Sequence, residues 1–130
     1  MTEAGPSSAD SYHTSQYVAQ HCIGLSPNII DFPDRGGLTI TADGLGLAGV
    51  VWGNVSIWGY HTDGTVRWKN LRTGAAGEVV ARFERGGGGG GFATSIHTGS
   101  GPVRFTTTAV NRGALLTLPA PTCTGTATIR

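Results

Sequence analysis

Four histidines, two cysteines and eight carboxylates are the side chains of this 130-residue sequence with the widest chemical reach. His13, His21, His61 and His97 make no H-x-x-x-H or H-E-x-x-H pair, the spacing at which one helix face presents two imidazoles to zinc. His21 and Cys22 are neighbours, and neighbours on a strand point to opposite faces. The carboxylates read as turn chemistry: Asp31 and Asp34 bracket Phe32-Pro33, and Asp43 precedes Gly44. There is no G-x-S-x-G elbow and no cysteine signature of a nucleophile. The expectation is no catalytic residue, no metal site, no cofactor, and a protein that is not an enzyme.

Cys22 and Cys123 stand near the two ends, where a bridge would tie the first strand to the last. Closing a loop of about 100 residues stabilises a fold by roughly 4 to 5 kcal/mol if chain entropy is the source. Spacing alone does not decide pairing, and two buried reduced thiols are the alternative. A bridge would place the working protein outside a reducing cytosol.

Two glycine motifs invite a phosphate-binding reading. Gly44-Leu45-Gly46-Leu47-Ala48-Gly49 fits the dinucleotide pattern G-x-G-x-x-G, with Asp63 about 20 residues on. That pattern holds a pyrophosphate only where a helix begins at its glycines, and the Val50-Val51-Trp52 that follows reads as a strand. The run Gly86, Gly87, Gly88, Gly89, Gly90 and Gly91 is either an anion-binding nest or a flexible hairpin loop. No Lys-Ser/Thr follows it, which favours the loop.

Residues 50–60 form the strongest strand candidate, rich in β-branched and aromatic side chains. If that strand is unbroken, Trp52, Trp58 and Tyr60 share one face and Val51, Val55 and Ile57 the other. Burying the aliphatic face would leave a stacking platform for sugar rings about 20 Å long. Burying the aromatic face would make the rings core, with Gly53 and Gly59 giving them room.

The elements that would position these residues are strands. Residues 17–23, 38–41, 65–69, 78–83, 92–97, 103–110, 115–118 and 126–129 join residues 50–60 as short apolar or alternating runs. Turn signals separate them, among them Asp43-Gly44, Asp63-Gly64 as a hairpin turn, and Thr73-Gly74-Ala75-Ala76-Gly77. No window keeps a helical period over ten residues. The fold expected is all-β, a single antiparallel sandwich or barrel of about 8–9 short strands over residues 14–130. Residues 1–13 lack apolar periodicity and read as a flexible lead-in.

Composition narrows the partners. Charged residues make up 13% of the chain against 22 glycines, and the net charge is +1. That balance excludes a coiled coil and gives no footprint for nucleic acid or anionic lipid. No apolar stretch is long enough for a transmembrane segment. The N-terminal residues carry no signal peptide, and a removed one would leave the same polar opening. Eight arginines against a single lysine, Lys69, with many Ala and Gly, point to a high-GC genome such as an actinobacterium or its phages.

The order Val66-Arg67-Trp68-Lys69-Asn70-Leu71-Arg72-Thr73-Gly74 with Gly77-Glu78-Val79, then His97-Thr98-Gly99-Ser100-Gly101-Pro102-Val103, then Leu116-Thr117-Leu118-Pro119, resembles small exported β-sandwich proteins of mycobacteria and related actinobacteria. It spans residues 65–129 and consists of hairpin grammar. The resemblance implies a secreted or cell-envelope location and no particular ligand. The functional expectation is a non-catalytic binding or structural component at the envelope, meeting a protein or an envelope glycan, with a homo-oligomer compatible. Two other readings stand beside it: a virion structural protein of a phage, such as a capsid decoration or tail component, and a carbohydrate-binding module.

Overall fold

The structure, a computed structural model, describes residues 15–18, 22–28, 30–53, 56–86 and 91–130. The segment read as a lead-in, residues 1–13, lies outside the described residues. The described chain is all-β. Eleven strands run in the order β1 (Ser15–Val18), β2 (Ile23–Gly24), β3 (Asp34–Arg35), β4 (Leu38–Ala42), β5 (Leu47–Trp52), β6 (Tyr60–Asn70), β7 (Ala76–Arg85), β8 (Phe92–His97), β9 (Gly101–Arg112), β10 (Thr117–Pro119) and β11 (Cys123–Ile129). One sheet has the order β1-β4-β5-β8. The other has the order β10-β9-β6-β7, with β11 also on β9, and β2-β3 is a separate ribbon. Every ladder is antiparallel.

Period-two alternation decides which face of each sheet is buried. Leu38, Ile40, Ala48, Val50, Trp52 and Ile96 of the first sheet meet Val66, Ala81, Phe83, Val103, Phe105 and Ile129 of the second in one core. The sandwich is sealed on one side by a side chain acting as backbone. Gln16 of β1 donates from Nε2 to the Thr128 carbonyl of β11 at 2.7 Å and accepts the Thr128 N–H at 2.8 Å.

Three expectations from the sequence are corrected. The strand expected over residues 50–60 ends at Trp52, and β6 begins at Tyr60. Asp63-Gly64 does not turn the chain but lies inside β6, which pairs without interruption with both β7 and β9. Gly64 is there for close approach: a Cβ on it would stand 2.6 Å from Trp52 Cη2 and 2.9 Å from the Thr108 carbonyl oxygen. A missing side chain thus lets the Trp52 ring lie over the strand, edge-on to Phe83 at 5.4 Å. Finally, the run expected as one strand over residues 17–23 is divided between two sheets: Tyr17 and Val18 belong to β1, and Ile23 to the β2-β3 ribbon.

The dinucleotide-like motif is a turn. Gly44, Leu45 and Gly46 take positive φ values of 87°, 56° and 75° and lead straight into β5. Among the described residues there is no helix, and hence none long and apolar enough to cross a membrane. Cys22 and Cys123 form a disulfide with Cα atoms 5.7 Å apart. It joins the entry of the β2-β3 ribbon, not β1, to the first residue of the last strand. Gly36 packs against it, its N–H bonded to the Cys22 carbonyl at 2.6 Å.

Candidate functional site: an apolar loop end braced by Asp31

Strand register brings to one end of the sandwich the strand ends that bound four connections, β2 to β3, β5 to β6, β7 to β8 and β9 to β10. Three of them carry large apolar side chains into solvent. Leu25, Ile30 and Phe32 stand on the first, Ile57 and Trp58 on the second, Leu115 and Leu116 on the last. Trp58 is 71% exposed, Ile30 79% and Leu115 84%. Isolated exposed hydrophobics are ordinary, but several on adjoining loops single this end out as a candidate site.

What holds these loops is Asp31. Its Oδ1 accepts the N–H of Phe32 at 2.7 Å and of Ile57 at 2.6 Å. Its Oδ2 accepts from Asn28 Nδ2 at 3.0 Å, from Ser26 Oγ at 3.3 Å and from Ser56 Oγ. One carboxylate therefore pins residues 26, 28 and 32 of one loop to residues 56 and 57 of another. Desolvation alone would raise its pKa. The hydrogen bonds from Asn28, Ser56, Ile57 and Phe32 outweigh it and hold the carboxyl far below the usual carboxylate range.

Further bonds make the loops one unit. Trp58 Nε1 donates to the Ile30 carbonyl at 2.8 Å, which fixes the indole plane. Asn28 Nδ2 also reaches the Gly59 carbonyl at 2.9 Å, and Gly59 N–H bonds Ser56 Oγ at 2.9 Å. The β9-β10 connection closes on the first loop: a Cβ at Gly113 would lie 2.7 Å from Asn28 Oδ1.

Beneath the loops lies a fully buried polar cluster. Arg85 Nη1 donates to Asp34 Oδ1 at 3.0 Å and Asn111 Nδ2 to Asp34 Oδ2 at 2.7 Å. Arg85 Nε donates to Thr62 Oγ1 at 2.8 Å, and that hydroxyl donates to Asn111 Oδ1 at 2.8 Å. The Arg85 guanidinium also lies 5.2 Å from the Tyr60 ring centroid and 5.1 Å from that of Phe83. Burial pushes the Tyr60 phenol up to about 12; Arg85 opposes the shift, and Asp34 and Asp31 add to it. The cluster fastens the β2-β3 ribbon, and with it the first loop, to the second sheet.

A second polar group occupies the outer face of the second sheet. His61 presents Nδ1 to Glu84 and Nε2 to Asp63 Oδ1 at 2.9 Å, and Asp63 Oδ2 accepts from Arg112 Nε at 3.1 Å. A shallow open hollow of about 450 Å³ adjoins it, lined by Asp63, Thr65, Val80, Arg82, Thr108 and Val110. Hydrogen bonds that the protonated ring donates to Glu84 and then to Asp63 raise the His61 pKa. Both imidazole nitrogens are thus committed to carboxylates. No group of three His, Cys, Asp or Glu suited to a metal occurs among the described residues.

The residues singled out from the sequence are scattered. Trp52 and Tyr60 are buried, at 3% and 5% exposure, and only Trp58 faces solvent. The platform of three coplanar rings is therefore not assembled, because the chain leaves the sheet after Trp52. Room for the rings comes from Gly64 under Trp52 and from Gly77 under Trp68, whose indole would lie 2.9 Å from a Cβ there. Gly86 and Gly91 flank the connection from β7 to β8, and Gly87, Gly88, Gly89 and Gly90 lie outside the described residues.

Asp31 and Asp34, read as turn residues, are instead the two anchors of the site. Apolar residues embedded in turn chemistry, Ile30 and Phe32 between Asn28 and Pro33, were the available signal. Arg85 ahead of six glycines offered none. Comparison with protein-family models, with curated protein sequences and with solved structures gives no match.

Proposed function

We propose that this chain is a non-catalytic binding module, exported to the envelope of an actinobacterium, that meets a protein partner through the loop end bearing Ile30, Trp58 and Leu115. The observation that carries the reading is the Asp31 brace. Five donors on one carboxylate fix loops whose tips are apolar and exposed, and a pre-ordered apolar surface loses little entropy when a partner covers it. The Cys22–Cys123 disulfide supports work in an oxidising compartment. One exposed indole among aliphatic side chains suits a protein surface better than a sugar, whose rings want several flat aromatic faces.

Trp58 provides the test, since Trp52 is buried and Trp68 half-buried. Tryptophan emission of the oxidised protein is to be titrated with envelope protein fractions and, separately, with soluble envelope polysaccharide. A saturable blue shift with protein, abolished by Trp58→Ser and by Ile30→Ser, is expected. A response to polysaccharide alone would replace this reading with the carbohydrate-binding one, and no response to either would remove the loop end as a binding surface.

A further inference from the structure

The edges of the second sheet are treated unequally. β10 is three residues long and ends in Pro119, and β11 is capped by the Gln16 amide. β7 is ten residues long, contains no proline and no bulge, and pairs only with β6 among the described residues. A long regular edge of this kind is a template for another strand.

Two bonds tell which backbone groups of β7 are unpaired. Asn70 N–H reaches the Ala75 carbonyl at 2.7 Å, while Leu71 N–H reaches the Pro102 carbonyl at 2.9 Å. Even-numbered residues of β6 therefore bond toward β7 and odd-numbered ones toward β9. In the β6-β7 register, where Val66 faces Val79, the odd residues of β7 bond inward. The amides and carbonyls of Ala76, Glu78, Val80, Arg82 and Glu84 point to the open edge, and their side chains stand exposed on the outer face.

We propose that this edge pairs antiparallel with β7 of a second copy of the chain, about a two-fold axis at Val80, and joins the two second sheets into one continuous sheet. The charge order selects this partner and this register. With Val80 opposite Val80, Glu78 faces Arg82 of the other copy twice, and all five edge residues bond to edge residues. Shifting the sum of paired positions by two in one direction sets Glu78 against Glu84, and by four sets Arg82 against itself or Glu78 against itself. The other two-position shift leaves no opposite charges paired, and a six-position shift that sets Arg82 against Glu84 leaves Ala76, Glu78 and Val80 without a partner in the strand. Opposite charges directly across a ladder stabilise it and like charges oppose it. Val80, 59% exposed in the single chain, becomes covered by its own counterpart.

Sedimentation equilibrium of the oxidised protein should give a dimer. Val80→Pro removes one edge-directed N–H and none used by β6, so the monomer keeps its fold by circular dichroism while the dimer is lost. Arg82→Glu and Glu78→Arg should each raise the dimer dissociation constant about tenfold or more, and the double exchange E78R/R82E should bring it back toward the native value. A native protein that stays monomeric, a dimer indifferent to the single charge reversals, or a double exchange that does not recover association each overturns the proposal. The charge variants decide the matter should Val80→Pro disturb folding.

Discussion

Asp31 and Asp34 stand three positions apart and meet different fates. Asp34 is buried against Arg85 at 1% exposure for each side chain. Removing one partner of such a pair leaves an uncompensated charge in the interior, so Asp34→Ala should lower the unfolding free energy by about 3–5 kcal/mol in denaturant titration. A loss near that of a surface pair would show that the cluster is solvated. Asp31 is half-buried and acts on loops: Asp31→Ala frees five donors and should shift Trp58 emission while leaving most of the global stability. At His61 the sign of the pH effect follows from the raised pKa. The contact with Glu84 and Asp63 stabilises the folded state fully below the ordinary imidazole value of 6.5 and is lost as pH rises through the higher folded value. Asp63, lowered by its bonds to His61 and Arg112, adds stability above 3.8 that is lost as pH falls through its folded value. The melting temperature should therefore decline on the alkaline side of pH 6.5, with a slope reduced in His61→Gln and by added salt. An identical slope in that variant would assign the decline to another group.

At the scale of elements, β6 is the organising strand of the second sheet, paired over ten residues with β7 on one side and over ten with β9 on the other. Its continuity through Asp63-Gly64 depends on the absence of a side chain at Gly64. Gly64→Ala places a methyl against Trp52 Cη2, the Ala109 Cβ and the Thr108 carbonyl, two of them on a paired strand that cannot retreat. Overpacking of this kind costs about 1–3 kcal/mol, and near-ultraviolet dichroism from Trp52 should change with it. Gly74 serves the β6-β7 hairpin differently. Its φ is 82° and nothing lies within 4 Å of a Cβ there, so Gly74→Ala costs only the backbone strain, about 1 kcal/mol. If Gly64→Ala proved the milder of the two, the packing account of Gly64 would be wrong.

For the whole molecule the disulfide closes a separation of 101 residues. The chain-entropy relation gives about 4–5 kcal/mol for such a loop, and the Cys22→Ser/Cys123→Ser variant should lose about that much in oxidising buffer. Hydrogen exchange should speed up first in the β2-β3 ribbon, which the bridge and the Asp34 cluster both hold. Equal protection of that ribbon in the variant would leave the cluster as its sole anchor.

Class and much of the strand content were legible because they rest on neighbours in sequence. Period two in Leu38-Thr39-Ile40-Thr41 and in Val103-Arg104-Phe105 needs only alternation, and β8 was expected at its observed bounds, residues 92–97. The all-β fold followed from such runs and their turn residues, and the two terminal cysteines limited the bridge to one pairing. Contacts across long separations were not legible. Asp34 finds Asn111 at a separation of 77 residues and Arg85 at 51, and nothing local to Asp34 distinguishes it from a turn residue. Asp-Gly turned the chain in the reading and not in the molecule, because what decides the matter is the Trp52 ring arriving from the other sheet. Alternation within one segment sets which side chains turn inward, so the sequence by itself determined an antiparallel all-β protein. Which loops share an end, which carboxylate braces them and which aromatic stays in water depend on segments distant in the chain meeting in space, and only the tertiary structure decided them.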